Sequence, residues 1–242
     1  VAIVGQLDNA SRQAITEDGP MPISIIISYD GTTHDDDSLM LGKMLSAAGA
    51  SLSLAYVRHS REYDPRREEI GVHDADRRLE QGALWLEDEA ITRHVVVNPS
   101  TSAGLADLAA SEGATAVLFG SDYRTPPGRV EPGQAAQGLL DGGTVAIGVA
   151  AAGLRTRADP TLETVSFLSD DPAGTAAETA RAIAAAAGAE AVAGAHDADL
   201  IVVDSRSSGP VGTVGLDGLT RGWLDSARGS VLVLPHGVTL SP

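Results

Sequence analysis

The sequence predicts an α/β protein with a doubly wound parallel sheet, duplicated with a truncated second copy. Three observations carry this. Apolar runs of strand length alternate with helical segments, the order that builds a parallel sheet covered on both faces. The unit of buried strand, glycine loop, short helix and buried strand occurs at 116–149 and again at 200–235. Such units hold ligands in the loop after the first strand.

Residues 23–29 are β-branched and nearly continuous, as a strand covered on both faces requires. A loop rich in Asp follows (30–38), then a helix to about residue 48 that Gly49 ends. A strand at 52–57, a charged loop at 58–69 and a helix at about 74–85 come next. Strand 94–97, helix 102–111 and strands 116–119 and 145–149 complete the first domain, 22–152. Residues 153–160 read as a linker. The second domain, 162–236, has a strand at 164–168, an alanine-rich helix at 176–187, a short strand at 191–193 and strands at 200–203 and 231–234. Asp30 and Gly120 stand 90 positions apart, Asp170 and Asp204 only 34, so the second copy lacks about one helix–strand–helix segment. It is expected to lean on the first as an intramolecular pseudo-dimer. Residues 1–21 are expected to form a flexible N-terminal extension.

Composition excludes several functions. The formal charge of −16 argues against nucleic acid, because such binding neutralises phosphates with Lys and Arg. The single lysine, Lys43, falls inside a predicted helix, so a Walker-type phosphate loop is absent. No cysteine means no disulfide and no thiolate metal site or nucleophile. No apolar run reaches the ~20 residues that span a bilayer, and a cytoplasmic location is expected. His34-Asp35-Asp36-Asp37 offers hard-metal ligands such as Mg²⁺ would take; the preferred reading is an acidic first helical turn that balances the macrodipole. His73 reads as part of a solvated helix face, His94 as a structural residue that opens a strand, His196 as part of a turn, and Trp85 and Trp223 as core.

The segments 25–31, 54–57, 112–114 and 117–121, in this order and spacing, make the chain resemble the universal stress protein family over about residues 22–150 and, shortened, 162–236. The resemblance implies a flavodoxin-like sheet, dimerisation through the last strand, and in some members a bound ATP or AMP. Nucleotide-binding members carry Gly, two residues, Gly, nine residues, then Gly followed by Ser or Thr. Here Gly120, Tyr123, Gly133 and Gln134 stand at those positions. Tyr123 replaces a glycine where backbone must approach phosphate, so it either fills the phosphate space or stacks on a base. Pro126, Pro127 and Pro132 remove N–H donors, while Arg124 and Arg129 keep an arginine-assisted anion site open. The resemblance also places Ser28 and Asp30 beside the nucleoside and the backbone of Val57 at adenine. In the second copy Asp204, Ser207, Asp217 and Gly218 fall at the motif positions, and carboxylates there would repel phosphate. A literal match at Gly209, Gly212 and Gly222 is read as chance.

The expectation is a non-enzymatic, stress-linked regulatory or binding module with a degenerate adenine-nucleotide site in the first copy. Its cofactor would be ATP or AMP with Mg²⁺, or none, and a homodimer is a further option. A slow ATPase or adenylyl-transfer enzyme, and a nucleotide-free scaffold, are the alternatives.

Overall fold

The computed structural model describes residues 19–159, 161–169, 171–206 and 208–242. Residues 1–18, and with them most of the expected extension, lie outside this set, as do Asp170 and Ser207. Met21, expected to end the extension, already belongs to strand β1 (Met21–Pro22), which pairs in parallel with β11 (Leu240–Ser241).

The main sheet has nine strands. In the first half these are β2 (Ser24–Ser28), β3 (Ser51–Arg58), β4 (Thr92–Val97), β5 (Ala116–Phe119) and β6 (Ala146–Val149). In the second half they are β7 (Thr164–Leu168), β8 (Glu190–Ala193), β9 (Leu200–Asp204) and β10 (Ser230–Leu234). The spatial order is β4-β3-β2-β5-β6-β10-β9-β7-β8. Every neighbouring pair is parallel except β6 with β10, where Ile147, Gly148 and Val149 face Val233, Leu232 and Val231 in antiparallel register. The winding of β7, β8, β9 and β10 thus follows that of β3-β2-β5-β6, with no strand in the place of β4.

Helices cover both faces. α1 (Asp35–Ala47), α2 (Pro65–Trp85) and α5 (Thr175–Ala187) pack on one face, where Leu39, Met44, Leu79 and Ile183 are buried against Ile25, Ile27 and Val165. α3 (Thr101–Glu112), α4 (Gln134–Leu140) and α6 (Gly218–Ser226) cover the other, with Leu105, Leu139 and Leu224 in a second core with Ile26, Ile147 and Val203. This double burial explains why the central strands β5, β6 and β10 read as unbroken apolar runs. Trp85 and Trp223 are half-buried, one against each core.

The largest departure from the expected elements is α2, which starts at Pro65 and not near Asp74. Asp64 caps it, its side chain accepting from Arg66 N at 2.8 Å and Arg67 N at 3.3 Å, and Pro65 takes the first helical position, where a missing N–H costs nothing. The charge of 58–69 hid this start. The linker contains a 3₁₀ turn at Leu154–Thr156, and Leu162 just beyond it is buried. In the second half the loop 194–199 closes over the sheet where a longer segment would lie. Ala195 N donates to Ser166 Oγ at 3.0 Å, and Ala198 is buried.

The loops after β5 and β9 share one hydrogen-bond plan. Ser121 Oγ donates to Ala150 O (2.7 Å), 29 residues on, and accepts from Glu131 N (3.2 Å), 10 residues on. Ser205 Oγ donates to Leu234 O (2.6 Å) and accepts from Gly215 N (3.1 Å) across the same intervals of 29 and 10.

Candidate functional site

At the carboxyl ends of β2, β3 and β5 the strand order reverses, and a cavity of about 290 Å³ opens there. Ser28, Asp30, Val57 and Gly120 all line it, so the structure brings together four of the eight residues expected at a nucleotide site. Tyr123, Arg124, Gly133 and Gln134 do not line it. The cavity wall instead includes Tyr29, Asp35, Tyr56 and Arg78.

Gly120 is glycine for a reason internal to the fold. A Cβ there would collide with the carbonyl of His34 where α1 begins. The close approach expected for a phosphate is used by the chain's own backbone. Gly133 sits in open space as the N-cap of α4, a helix of seven residues that starts with Gln134, and has no side-chain cap. Tyr123 is 60% exposed. Its hydroxyl accepts from Arg124 Nε at 2.6 Å, and the guanidinium lies 4.8 Å from the ring centroid. The ring of His34 stands 6.4 Å away, tilted by 56°. Arg124 is therefore spent on its neighbour, and Arg129 Nη2 donates to Asp225 O at 2.8 Å.

The wall of the cavity carries two carboxyls, Asp30 and Asp35. Asp35 Oδ2 accepts from Asp30 N (3.1 Å), Thr32 N (3.2 Å) and Thr32 Oγ1 (2.9 Å). Burial, followed by the neighbouring Asp30, pushes the Asp35 carboxyl up to about 8, against these three donors. Asp30 moves the other way. The hydrogen bond from the Asp35 side chain holds it below the usual carboxylate range, with Thr32 and Arg78 helping. One proton shared between the two carboxyls, resting on Asp35, describes the pair. Arg78 Nη1 donates to Asp30 O, and its guanidinium carbon lies 5.4 Å from the centre of Tyr56. Its Nε is buried without a partner.

Asp36 and Asp37 do not join this cluster as metal ligands. Asp36 Oδ1 accepts from Tyr29 Oη at 3.4 Å. Asp37 is buried and accepts from Gly153 N, Arg155 N and Arg155 Nη1 at 2.8–2.9 Å. Among the described residues no group of three His, Cys, Asp or Glu side chains could hold a metal ion.

The corresponding cavity of the second half, about 300 Å³, is organised around Asp204, which stands where Gly120 does. Its Oδ1 accepts from Thr175 Oγ1 (2.5 Å) and Ala176 N (2.8 Å), and its Oδ2 from Ser169 Oγ (2.8 Å). The protein's own carboxylate thus occupies the start of α5, where an anion would otherwise be attracted. Asp217 caps α6 just as Gly133 precedes α4, and Gly222 lies inside α6, so the literal glycine match is no phosphate loop.

Sequence reasoning missed Asp35, Tyr56 and Arg78. Asp35 enters the sequence reading as a metal ligand or, by preference, as helix-terminal charge, and not as a partner of Asp30. Arg78 adjoins the buried stripe Ala75, Leu79 and Gly82 of α2, a position from which a long side chain reaches the sheet's carboxyl edge.

The fold that surrounds this cavity is that of the universal stress proteins. The chain matches a universal stress protein from Archaeoglobus fulgidus DSM 4304 with a TM-score of 0.62 at 14% identity, over 88% of this chain and 98% of that one. It matches a functionally unknown protein from Pseudomonas aeruginosa PAO1 with a TM-score of 0.54 at 14% identity, over 88% and 92%. No protein-family model and no curated protein matches the sequence. Among the described residues no helix is long and apolar enough to cross a membrane.

Proposed function

We propose that this chain is a cytoplasmic, non-enzymatic regulatory module of the universal-stress type. It would recognise the nucleoside part of an adenine nucleotide in its first half and nothing in its second. The observation that carries this is the convergence of Ser28, Asp30, Val57 and Gly120 on one cavity of about 290 Å³ at the switch point of the sheet. The glycine loop adds no grip on phosphate, because Arg124 is held by Tyr123 and Gly120 is closed off by His34. We read the two halves as a duplicated unit, on the strength of the repeated strand order and the matching Ser121 and Ser205 bonds.

Isothermal titration with adenosine, AMP and ATP, each with and without Mg²⁺, tests the reading. Adenosine should bind at micromolar concentration, Mg²⁺ should bring no gain, and Arg124→Gln should leave all affinities unchanged. No heat with any of the three would retire the ligand and leave an interaction scaffold. One observation favours a slow hydrolase instead: the Asp30–Asp35 pair places a protonated and an ionised carboxyl in the cavity. Phosphate release from ATP that Asp35→Asn abolishes would establish that alternative.

A further inference from the structure

We propose that the trough beyond Tyr56 and Arg78 is an anion subsite, and that the phosphate of a bound nucleotide lies there and not at the 120–134 loop. The placement of the phosphate rests on the nucleoside reading above; the anion subsite itself does not. A second cavity, of about 410 Å³, shares Tyr56, His59 and Arg78 with the first, so the two adjoin along these three residues. Arg58, Arg67 and Arg78 line it, opposed by Glu62 and Asp74.

Pairing decides which of these charges are available. Arg58 holds Glu68 in a two-point ion pair (Nη1–Oε1 3.1 Å, Nη2–Oε2 2.8 Å), which neutralises both. Asp74 is paired with Arg77 at 3.0 Å. Arg67 is exposed and has no ion-pair partner among the described residues, and Arg78 bonds only a carbonyl, with its Nε unsatisfied. Within the trough Arg67 and Arg78 are opposed by Glu62, and Arg78 also acts on Asp30 of the adjoining cavity, so two guanidinium groups gather positive charge here on a chain of net charge −16. The opposite end of the cavity has the reverse balance, with Asp30 and Asp35 on its wall. Gly71 of α2 keeps the trough open, since a Cβ there would lie 2.7 Å from Arg58 Nη2 and displace the Arg58–Glu68 pair. Planar guanidinium groups match phosphate oxygens, so the ligand class is a phosphorylated nucleoside.

The test titrates the full chain separately with pyrophosphate and with adenosine at low salt, followed by amide chemical shifts. Pyrophosphate should move Ser60, Arg67 and Gly71 saturably. Arg67→Gln, a change at an exposed position, should weaken it at least fivefold, and Glu62→Gln should tighten it several-fold. Adenosine should move Val57 and Gly120 in every variant. Pyrophosphate shifts that fall on 120–134, are absent, or ignore Arg67→Gln overturn the subsite, whatever adenosine does. If pyrophosphate behaves as expected and adenosine does not bind, the subsite stands and the nucleoside reading falls.

Discussion

Asp37 and Arg155 tie the first helix to the segment that joins the two halves. Asp37 Oδ2 accepts from Arg155 Nη1 at 2.8 Å, Oδ1 accepts from Arg155 N at 2.8 Å, and Gly153 N completes the set. Asp37 is 1% exposed, so its charge is tolerable only with these partners. Asp37→Ala should cost about 3 kcal/mol, read as a lower urea midpoint, and should expose 153–160 to limited proteolysis. An unchanged midpoint would show that the contact does not hold the linker.

Gly120→Ala tests the packing at the cavity floor. The added methyl meets the His34 carbonyl, so the start of α1 must move, and overpacking of this kind costs about 1–3 kcal/mol. Adenosine affinity should fall along with stability.

Asp35 sets a pH dependence whose sign is the reverse of an ordinary salt-bridged carboxylate. Its folded value lies near 8 and its unfolded value near 3.8, so the folded state binds the extra proton between them. Stability from this group is therefore complete below about pH 4 and is lost as pH rises toward 8. Asp36, also raised by burial, adds in the same direction, whereas Asp30 opposes it. The difference in urea midpoint between pH 5 and pH 8 should shrink in Asp35→Asn. A variant with the wild-type slope would show that Asp35 is ionised throughout.

Asp204→Ala should destabilise the second half by about 1–2 kcal/mol, the usual cost of a lost helix cap. Amide hydrogen exchange should quicken at the first turn of α5 and stay unchanged in α1.

The central strands were legible because they are buried on both faces and read as uninterrupted apolar runs, Ile25–Ile27 and Leu200–Val203 above all, whereas the edge strands β4 and β8 are largely exposed. The second half has four strands in the main sheet where the first has five, and Asp170 and Asp204 stand correspondingly close in the sequence. The start of α2 was not, because Asp64-Pro65 lies within a run of charge that resembles a loop, although the cap and the proline were both there to be read. Half of the site followed from position along the strands, as Ser28, Asp30, Val57 and Gly120 show. The other half failed because a spacing motif says where glycines fall in the chain and nothing about which atoms already fill the space beside them. Arg78 escaped notice for a related reason: it reaches the cavity from a neighbouring helix 48 residues along the chain from Asp30.

The antiparallel seam between β6 and β10 has a consequence for stoichiometry. The seam joins two halves of one polypeptide, so the two cavities carry different residues within a single chain. The first half lines its cavity with Ser28, Val57 and Gly120, whereas the second sets the carboxylate of Asp204 in its own. Saturation should come at one equivalent per chain, along a simple hyperbola, where a pair of identical lobes would offer two.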